Sequence, residues 1–259
     1  MSIQLVAKKE FQDAIRSRLL LLVASLFTAF LAFYTYYKFA MVTPAEPAVV
    51  ADLYRAVASV VAVVGTLLGY NAIVGERESG SLKFLLAQPH TRRDVVIGKF
   101  LGRAAAVTVT VGIAFAVLSV HYAVLVEASP SVIAYARFGG KILVLGVVFV
   151  AIAVAFSAAV RSTTVATWGA VWLAFLFAFV WDSVLAVIKT FLFTSQTLPP
   201  WYYLVARFNP KFTLVHIDAT ALDTTPFYLE AWFGGVILAG WLLVPLGVAY
   251  LRFQRGDLV

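Results

Sequence analysis

The sequence contains no cysteine, and only 13% of its 259 residues are charged. The missing cysteines exclude disulfides, thiolate metal sites and cysteine nucleophiles. The shortage of charge, together with a hydrophobic content of 62%, leaves too little polar surface for a water-soluble domain of this size. The net charge of +7 does not predict a nucleic-acid partner, because the basic residues gather at the ends of hydrophobic runs. We therefore expect the lipid bilayer to be the main solvent of the chain.

Sequence motifs for catalysis are also missing. A chain that hydrolyses ATP needs G-x-x-x-x-G-K-[ST] to hold the phosphates, but Gly75-x-x-x-x-Gly80 is followed by Ser81-Leu82. No H-E-x-x-H or Gly-x-Ser-x-Gly motif occurs. Two methionines and no cysteine also argue against a path for copper, which prefers soft ligands. We expect a chain that is not an enzyme and binds no metal or cofactor.

Six long runs contain no Asp, Glu, Lys or Arg. They are Leu19–Tyr37, Ala56–Gly75, Ala104–Val126, Ile142–Val160, Ser162–Trp181 and Ala231–Leu251. Each is long enough to cross the hydrocarbon core as a helix, which needs about 20 apolar residues. None shows the short alternating segments of a membrane β-barrel. The sequence therefore predicts an all-α, multi-pass membrane protein with six transmembrane helices in a single domain, residues 1–259.

A seventh charge-free run, Thr190–Ala206, is slightly short and is interrupted by Pro199-Pro200. It lies within Asp182–Glu230, the segment between the fifth and sixth runs, which mixes aromatic residues with prolines. We predict that this segment forms short helices that lie at the outer leaflet or dip into it as re-entrant helices.

The distribution of basic residues predicts the orientation in a cell (plasma) membrane. If both termini lie on one side, that side receives thirteen of the twenty Lys and Arg residues. These are Lys8, Lys9, Arg16, Arg18, Arg77, Lys83, Arg92, Arg93, Lys99, Arg103, Arg161, Arg252 and Arg255. Short loops rich in Lys and Arg remain in the cytoplasm, so we expect cytoplasmic N- and C-termini.

Residues 1–17 place Ile3, Ala7, Phe11 and Ile15 at steps of four, with charged residues mostly on other faces. This spacing predicts an amphipathic helix lying in the membrane interface. A solvated helix that merely leads into the first span is the alternative that the pattern leaves open.

The loop after the second span, residues 76–94, contains a second short helical pattern. Glu76 and Glu78 supply negative charge ahead of Gly80, and Ser79 or Ser81 can cap a new helix. The leucines at 82, 85 and 86 share one face, Pro89 ends the helix, and Thr91-x-x-Asp94 has the form of a capping box. The apolar face fits a groove on a soluble partner, and it equally fits a connector whose leucines lie in the membrane interface.

A resemblance favours the first interpretation. The pattern Glu76-x-Glu78-x-Gly80-Ser81-Leu82-x-x-Leu85-Leu86-Ala87-x-Pro89-x-Thr91-Arg92, followed by Gly98-Lys99, resembles the same loop in type-2 ABC transporter permeases. That family includes permeases of drug, sodium and polysaccharide exporters and of the nitrous-oxide-reductase maturation system. Lys83 and His90 differ from the residues that are common at these positions in the family. These differences bear on which branch of the family the chain resembles and not on the resemblance itself.

The resemblance implies a function and partners. The loop would contain the coupling helix, which receives motion from a separate ATPase subunit that binds ATP and Mg. Two permeases, identical or homologous, would pair with two ATPase subunits and export or translocate a substrate. An alternative is a scaffold that transmits ATP-driven motion to an extracytoplasmic protein and translocates nothing. The residues implied in coupling are Glu76, Arg77, Glu78, Gly80, Ser81, Leu82, Lys83, Leu85, Leu86 and Pro89.

Two further pairs of residues are candidates for function. His121 and Asp182 are ionisable residues in span regions away from the cytoplasmic ends, and such residues often mark a substrate pathway. Interfacial or ion-paired residues are the alternative interpretation. Gly65-x-x-x-Gly69 is a motif for close helix approach, and we expect it at the seam between two permeases.

Overall fold

The computed structural model describes residues 3–38, 47–82, 91–125, 132–193, 198–215 and 226–255. Every regular element in these ranges is helical, which confirms the predicted all-α class. The helices are α1 Ile3–Arg16, α2 Arg18–Tyr36, α3 Pro47–Gly69, α4 Val74–Glu78, α5 Arg92–Leu125, α6 Val132–Ala159, α7 Thr163–Phe175, α8 Trp181–Leu192, α9 Pro200–Phe208, α10 Pro210–Val215 and α11 Ala231–Arg255. A π-helical turn, Leu176–Val180, joins α7 to α8, and a 3-10 turn, Phe227–Leu229, precedes α11.

Within the described part of the chain, six helical stretches are long and apolar enough to cross a membrane, as predicted. They are Arg18–Tyr36, Leu53–Glu78, Arg92–Val120, Tyr135–Ala159, Thr163–Leu192 and Ala231–Gln254, which we number spans 1 to 6. The fifth continues eleven residues past its predicted end at Trp181. The helix continues through Asp182, whose carboxylate is half-exposed and pairs with Lys211.

Span 4 lies at the centre of the bundle and packs against spans 2, 3 and 6. Small residues allow the closest of these contacts. A Cβ atom added to Gly65 would lie 2.6 Å from the carbonyl oxygen of Gly146, and one added to Gly69 would lie 2.7 Å from the Cβ of Ala153. In a membrane, where lipid is as apolar as leucine, such close packing is a main source of helix association.

Helix α1 lies along the first turns of α5 rather than apart from the bundle. Its buried side chains are Val6, Glu10 and Ala14, at steps of four. The predicted apolar stripe through Ile3 and Ile15 is therefore turned partly outwards: Ile15 is exposed and Ile3 half-buried. The amphipathic helix itself is present as predicted, but its protein-facing side includes a glutamate.

The segment between spans 5 and 6 forms the short helices α9 and α10. Pro200 begins α9, and Pro210 begins α10 directly after it. Helix α10 packs against spans 2, 4 and 6 and against the π-helical turn of span 5, and its Leu214 belongs to the hydrophobic core. We call the end of the bundle with α9 and α10 the outer-segment end and the opposite end, with α1 and α4, the loop end.

Candidate functional site

The last residues of span 2, where the predicted loop begins, are held by four other helices at the loop end. The N–H groups of Ile73 and Val74 both donate to the hydroxyl of Ser157 in span 4, each at 3.0 Å. The first N–H groups of a helix have no intrahelical partner, so Ser157 satisfies the beginning of α4. This contact fixes where α4 starts relative to span 4.

Glu76 is the first charged residue of the loop. Its Oε1 atom lies 2.9 Å from Nζ of Lys99 in span 3 and 3.5 Å from Nζ of Lys9 in α1. The side chain of Lys99 is 1% exposed, whereas that of Lys9 is 54% exposed. The contact with Lys99 is therefore the stronger one, because it lies out of water.

Arg77 turns in a different direction, towards the end of span 4. Its guanidinium donates to the carbonyl oxygens of Val160, at 2.6 Å, and Ala158, at 3.3 Å. Carbonyls at the last turn of a helix lack intrahelical donors, and a positive charge there is also favoured by the helix dipole. Arg77 thus caps span 4.

Glu78 caps the next span. Its Oε2 atom accepts the backbone N–H of Thr163, the first residue of α7, at 2.9 Å. The sequence pattern placed the negative charge of Glu76 and Glu78 at the start of a helix within the loop. The structure instead places Glu78 at the start of span 5, where it compensates an unpaired N–H and the positive end of the dipole.

The exposed part of the loop follows. Gly80 has a φ of +76°, a left-handed conformation that a residue without a Cβ adopts most readily. Ser79 and Ser81 are exposed, and their hydroxyls lie 2.9 Å apart. Leu82 is only 2% exposed and belongs to the hydrophobic core of the chain.

Leu82 thus packs inside its own bundle, whereas the sequence pattern assigned it to a face presented to another subunit. Its part in coupling stays a prediction. Lys83, Leu85, Leu86 and Pro89, the other predicted coupling residues, lie outside the described residues.

The chain re-enters the described structure at the predicted capping box. The N–H of Thr91 donates to Asp94 at 3.0 Å, and the N–H of Asp94 donates to the hydroxyl of Thr91 at 3.2 Å. Arg92 beside it donates to the carbonyls of Phe253, at 2.5 Å, and Gln254, at 2.9 Å, at the end of span 6. Sequence analysis missed the roles of Arg77 and Arg92 as caps of distant helices, since local spacing carries no signal for them.

Asp182 occupies a polar cluster near the outer-segment end. Its carboxylate lies 2.5 Å from Nζ of Lys211, which also donates to the carbonyl of Ala178 at 2.7 Å and to Ser59 Oγ at 3.2 Å. Asn209 donates to the carbonyl of Phe177 at 2.9 Å. Helix α10 thus binds carbonyls of the π-helical turn, a kind of irregularity that is frequent at functional sites.

A cavity of about 530 Å³ opens beside this cluster. Its lining combines aromatic, cationic and anionic groups from spans 1, 2 and 5 and from α10. The side chains that matter for its chemistry are Phe30, Tyr34, Arg55, Ser59, Asp182 and Lys211. His121, the other candidate for a pathway, lies near the C-terminal end of α5.

The glycines at 65 and 69 do not lie where we expected a seam between two permeases. Both are buried within one chain, and their close neighbours are Gly146, Phe149 and Ala153 of span 4. The motif does predict close helix approach, but the approaching helix belongs to the same chain, so the assignment to a seam is corrected.

Six apolar spans, a helix packed beside them and a loop that gathers their ends define a multi-pass α-helical membrane protein. Residues 4–258 match the model of the family described as ABC-2 family transporter protein, and the chain belongs to that family. It is a permease, the non-catalytic membrane subunit of an ABC transporter, and such a permease works with an ATPase subunit.

Two relatives align with the chain over nearly their whole length. One is the "Probable ABC transporter permease protein NosY" of Pseudomonas aeruginosa, which is 34% identical and covers 96% of this chain and 97% of its own length. The other has the same printed name, comes from Stutzerimonas stutzeri, and is 31% identical over the same shares.

Proposed function

We propose that this permease couples ATP hydrolysis in its ATPase subunit to the export or translocation of a substrate. In this proposal the loop of residues 76–94 receives the motion of the ATPase. The observation that carries the proposal is the divergence of three successive side chains: Glu76 binds Lys99 of span 3, Arg77 caps span 4 and Glu78 caps span 5. A force on this short segment therefore reaches three spans at once. A simple connector needs no such set of contacts.

The loop end faces the cytoplasm in this proposal. Thirteen of the twenty basic residues belong to the loops and termini that the sequence assigns to that side, and basic loops remain on the cytoplasmic side. The ATPase subunits, which hold ATP and Mg, would meet the loop there. Two permeases, identical or homologous, would pair with two ATPase subunits.

The substrate would pass the outer cavity that contains Asp182. Charged side chains inside a transmembrane bundle are energetically costly, and those that occur commonly mark a pathway for a substrate or ion. The mixed lining, with Arg55 and Asp182 beside Phe30 and Tyr34, suits a solute with both polar and apolar parts.

A second candidate function is the scaffold that acts on an extracytoplasmic protein without translocation. It is favoured by the attachment of α10 to span 5, where Asn209 and Lys211 bind carbonyls of the π-helical turn. Through these bonds a shift of span 5 would move the outer segment directly. The resulting movement could act on a partner bound to that segment.

Cysteine crosslinking tests the coupling proposal, since the chain has no native cysteine. A photoreactive maleimide on Ser81→Cys, co-expressed with the ATPase subunit, should produce a permease–ATPase adduct. Trp232→Cys, exposed at the start of span 6, is the matched control and should give none. An adduct from Trp232→Cys and none from Ser81→Cys would refute the assigned loop and its orientation.

A bulky substitution in the cavity separates the two candidate functions. Ser183 lines the cavity and is exposed, so Ser183→Trp should fill space without disturbing the core. If a substrate passes through the cavity, cells with Ser183→Trp should lose export of the substrate while the ATPase subunit keeps its ATP turnover. If the chain is a scaffold, Ser183→Trp should be tolerated, and Asn209→Leu should abolish the action on the extracytoplasmic partner.

A further inference from the structure

Helix α1 sits unusually close to α5 at two glycines one turn apart. A Cβ atom added to Gly98 would lie 2.6 Å from the Cβ of Val6. One added to Gly102 would lie 2.5 Å from the Cβ of Glu10 and 2.7 Å from the carbonyl oxygen of Ala7. These distances leave no room for any larger residue, so the two backbones are nearly in contact. The glycines therefore allow α1 to lie this close to α5.

The residues that follow these glycines are both basic, and both bind Glu10. Lys99 makes a short ion pair with Oε1 of Glu10, and Arg103 Nε lies 3.1 Å from its Oε2. The Glu10 side chain is 4% exposed. A carboxylate so deep in the protein needs charged partners of this kind, because burial alone would strongly disfavour its ionised form.

Lys99 also binds a residue of the loop. Its Nζ atom lies 2.9 Å from Glu76 Oε1, so one buried ammonium joins a carboxylate of α1 to a carboxylate of the loop. The Glu76 side chain is 18% exposed. Its second oxygen, Oε2, is buried and has no hydrogen-bond partner among the described residues. Glu76 therefore depends on Lys99 for most of its charge compensation.

The bond from Lys99 to Glu76 is not needed to hold α1 against α5. Gly98 and Gly102 provide the fit, and Arg103 would still compensate Glu10. What the bond adds is a buried connection between α1 and the loop, beside the longer and exposed contact of Lys9 with Glu76 at 3.5 Å. Ionic bonds out of water resist separation far more than exposed ones, so the two elements should move together.

We propose that Lys99 is a positioning residue that transmits movement of the loop to α1, and with it to the membrane surface against which α1 lies. The proposal rests on the proposed function, in which the ATPase moves the loop. It assigns α1 an active part in the coupling cycle, in addition to the three spans that Glu76, Arg77 and Glu78 reach. It also explains why a glutamate occupies the protein-facing side of an amphipathic helix.

Two environment-sensitive labels test this proposal in the full permease–ATPase complex in lipid nanodiscs. One label is attached to Gln12→Cys on the exposed face of α1 and the other, in a separate preparation, to Ser79→Cys on the exposed part of the loop. Emission is compared between ADP and a vanadate-trapped ATP state. With Lys99 present, both labels should change.

In Lys99→Met the loop label should keep its change while the α1 label loses it by about fivefold or more. Lys99→Arg, which keeps the charge, should restore most of the α1 response. Lys8→Met, an exposed change on α1, is the control and should leave both responses intact. If Lys99→Met does not fold, Glu76→Gln carries the test, because it weakens the same bond and leaves the pair between Lys99 and Glu10.

The outcomes separate this proposal from the proposed function. An undiminished α1 response in Lys99→Met or Glu76→Gln would overturn the role of Lys99. Absence of a loop response when all native residues except the label site are present would instead refute the proposed function of the loop.

Discussion

The guanidinium of Arg77 lies 2.6 Å from the carbonyl oxygen of Val160, so a residue in the last turn of span 2 closes the end of span 4. Span 4 is the central helix of the bundle, and span 2 packs along it through Gly65 and Gly69. The two spans are therefore joined both along their length and at the loop end. A movement of the loop should displace them as one unit, with spans 1, 5 and 6 arranged around them.

Replacing Arg77 should destabilise this unit. Arg77→Gln removes a charge-assisted donor from the carbonyls of Ala158 and Val160, at a cost of about 1–2 kcal/mol. Arg77→Lys should recover only part of it, because a single ammonium cannot reproduce the two-nitrogen geometry that bonds Ala158. The measurement is the thermal unfolding midpoint in one detergent. Equal midpoints for Arg77→Lys and the native chain would contradict the geometric argument.

Ser157→Ala should be costly for its size. It leaves the buried N–H groups of Ile73 and Val74 without an acceptor, and unsatisfied buried groups cost about 1–3 kcal/mol. Ser183→Ala is the control, since among the described residues that exposed hydroxyl bonds only the carbonyl of Phe179 in its own helical turn. Thermal unfolding of both variants should show a clear loss for Ser157→Ala and almost none for Ser183→Ala.

Two glycine substitutions should have opposite signs. A methyl group at Gly65 would press on the backbone of Gly146, so Gly65→Ala should destabilise by about 1–3 kcal/mol. A methyl group at Gly112 meets nothing within 4 Å, so Gly112→Ala should be neutral or stabilise the helix by up to about 1 kcal/mol. Folded yield and unfolding midpoint measure both. A tolerated Gly65→Ala would mean that span 2 is not held this closely against span 4.

The number and place of the spans could be predicted from the sequence because each of the six long, uninterrupted runs without charges corresponds to one helix long enough to cross. The same criterion failed at the end of span 5. A charge ends a span only when it has no partner, and the partner of Asp182 is Lys211, on a different helix beyond Pro210. Local composition carries no signal of a pairing across that distance.

The loop illustrates the same limit. The resemblance to permease loops drew attention to this segment, and its capping box at Thr91 is local and was predicted correctly. The binding partners of the three charged residues belong to spans 3, 4 and 5, and each lies more than twenty residues away along the chain. The side on which Leu82 packs also depends on the completed bundle, which helical periodicity alone does not describe.

The ion pair of Asp182 and Lys211 should respond unequally to removal of its two members. The Lys211 side chain is 5% exposed and that of Asp182 is 44% exposed. Asp182→Asn leaves a buried ammonium with only the neutral acceptors Ala178 and Ser59, which should destabilise the protein by about 2 kcal/mol.

Lys211→Met should cost less than about 1 kcal/mol, because the carboxylate that remains is half-exposed beside the cavity and the buried position receives an apolar chain of similar length. The double variant Asp182→Asn with Lys211→Met should then be more stable than Asp182→Asn alone, since the second change removes the uncompensated charge. Unfolding midpoints of the three variants, measured in the same detergent, test this order. A larger loss for Lys211→Met than for Asp182→Asn would show that Lys211 stabilises the outer segment mainly through its bonds to Ala178 and Ser59, and that the charge of Asp182 contributes little.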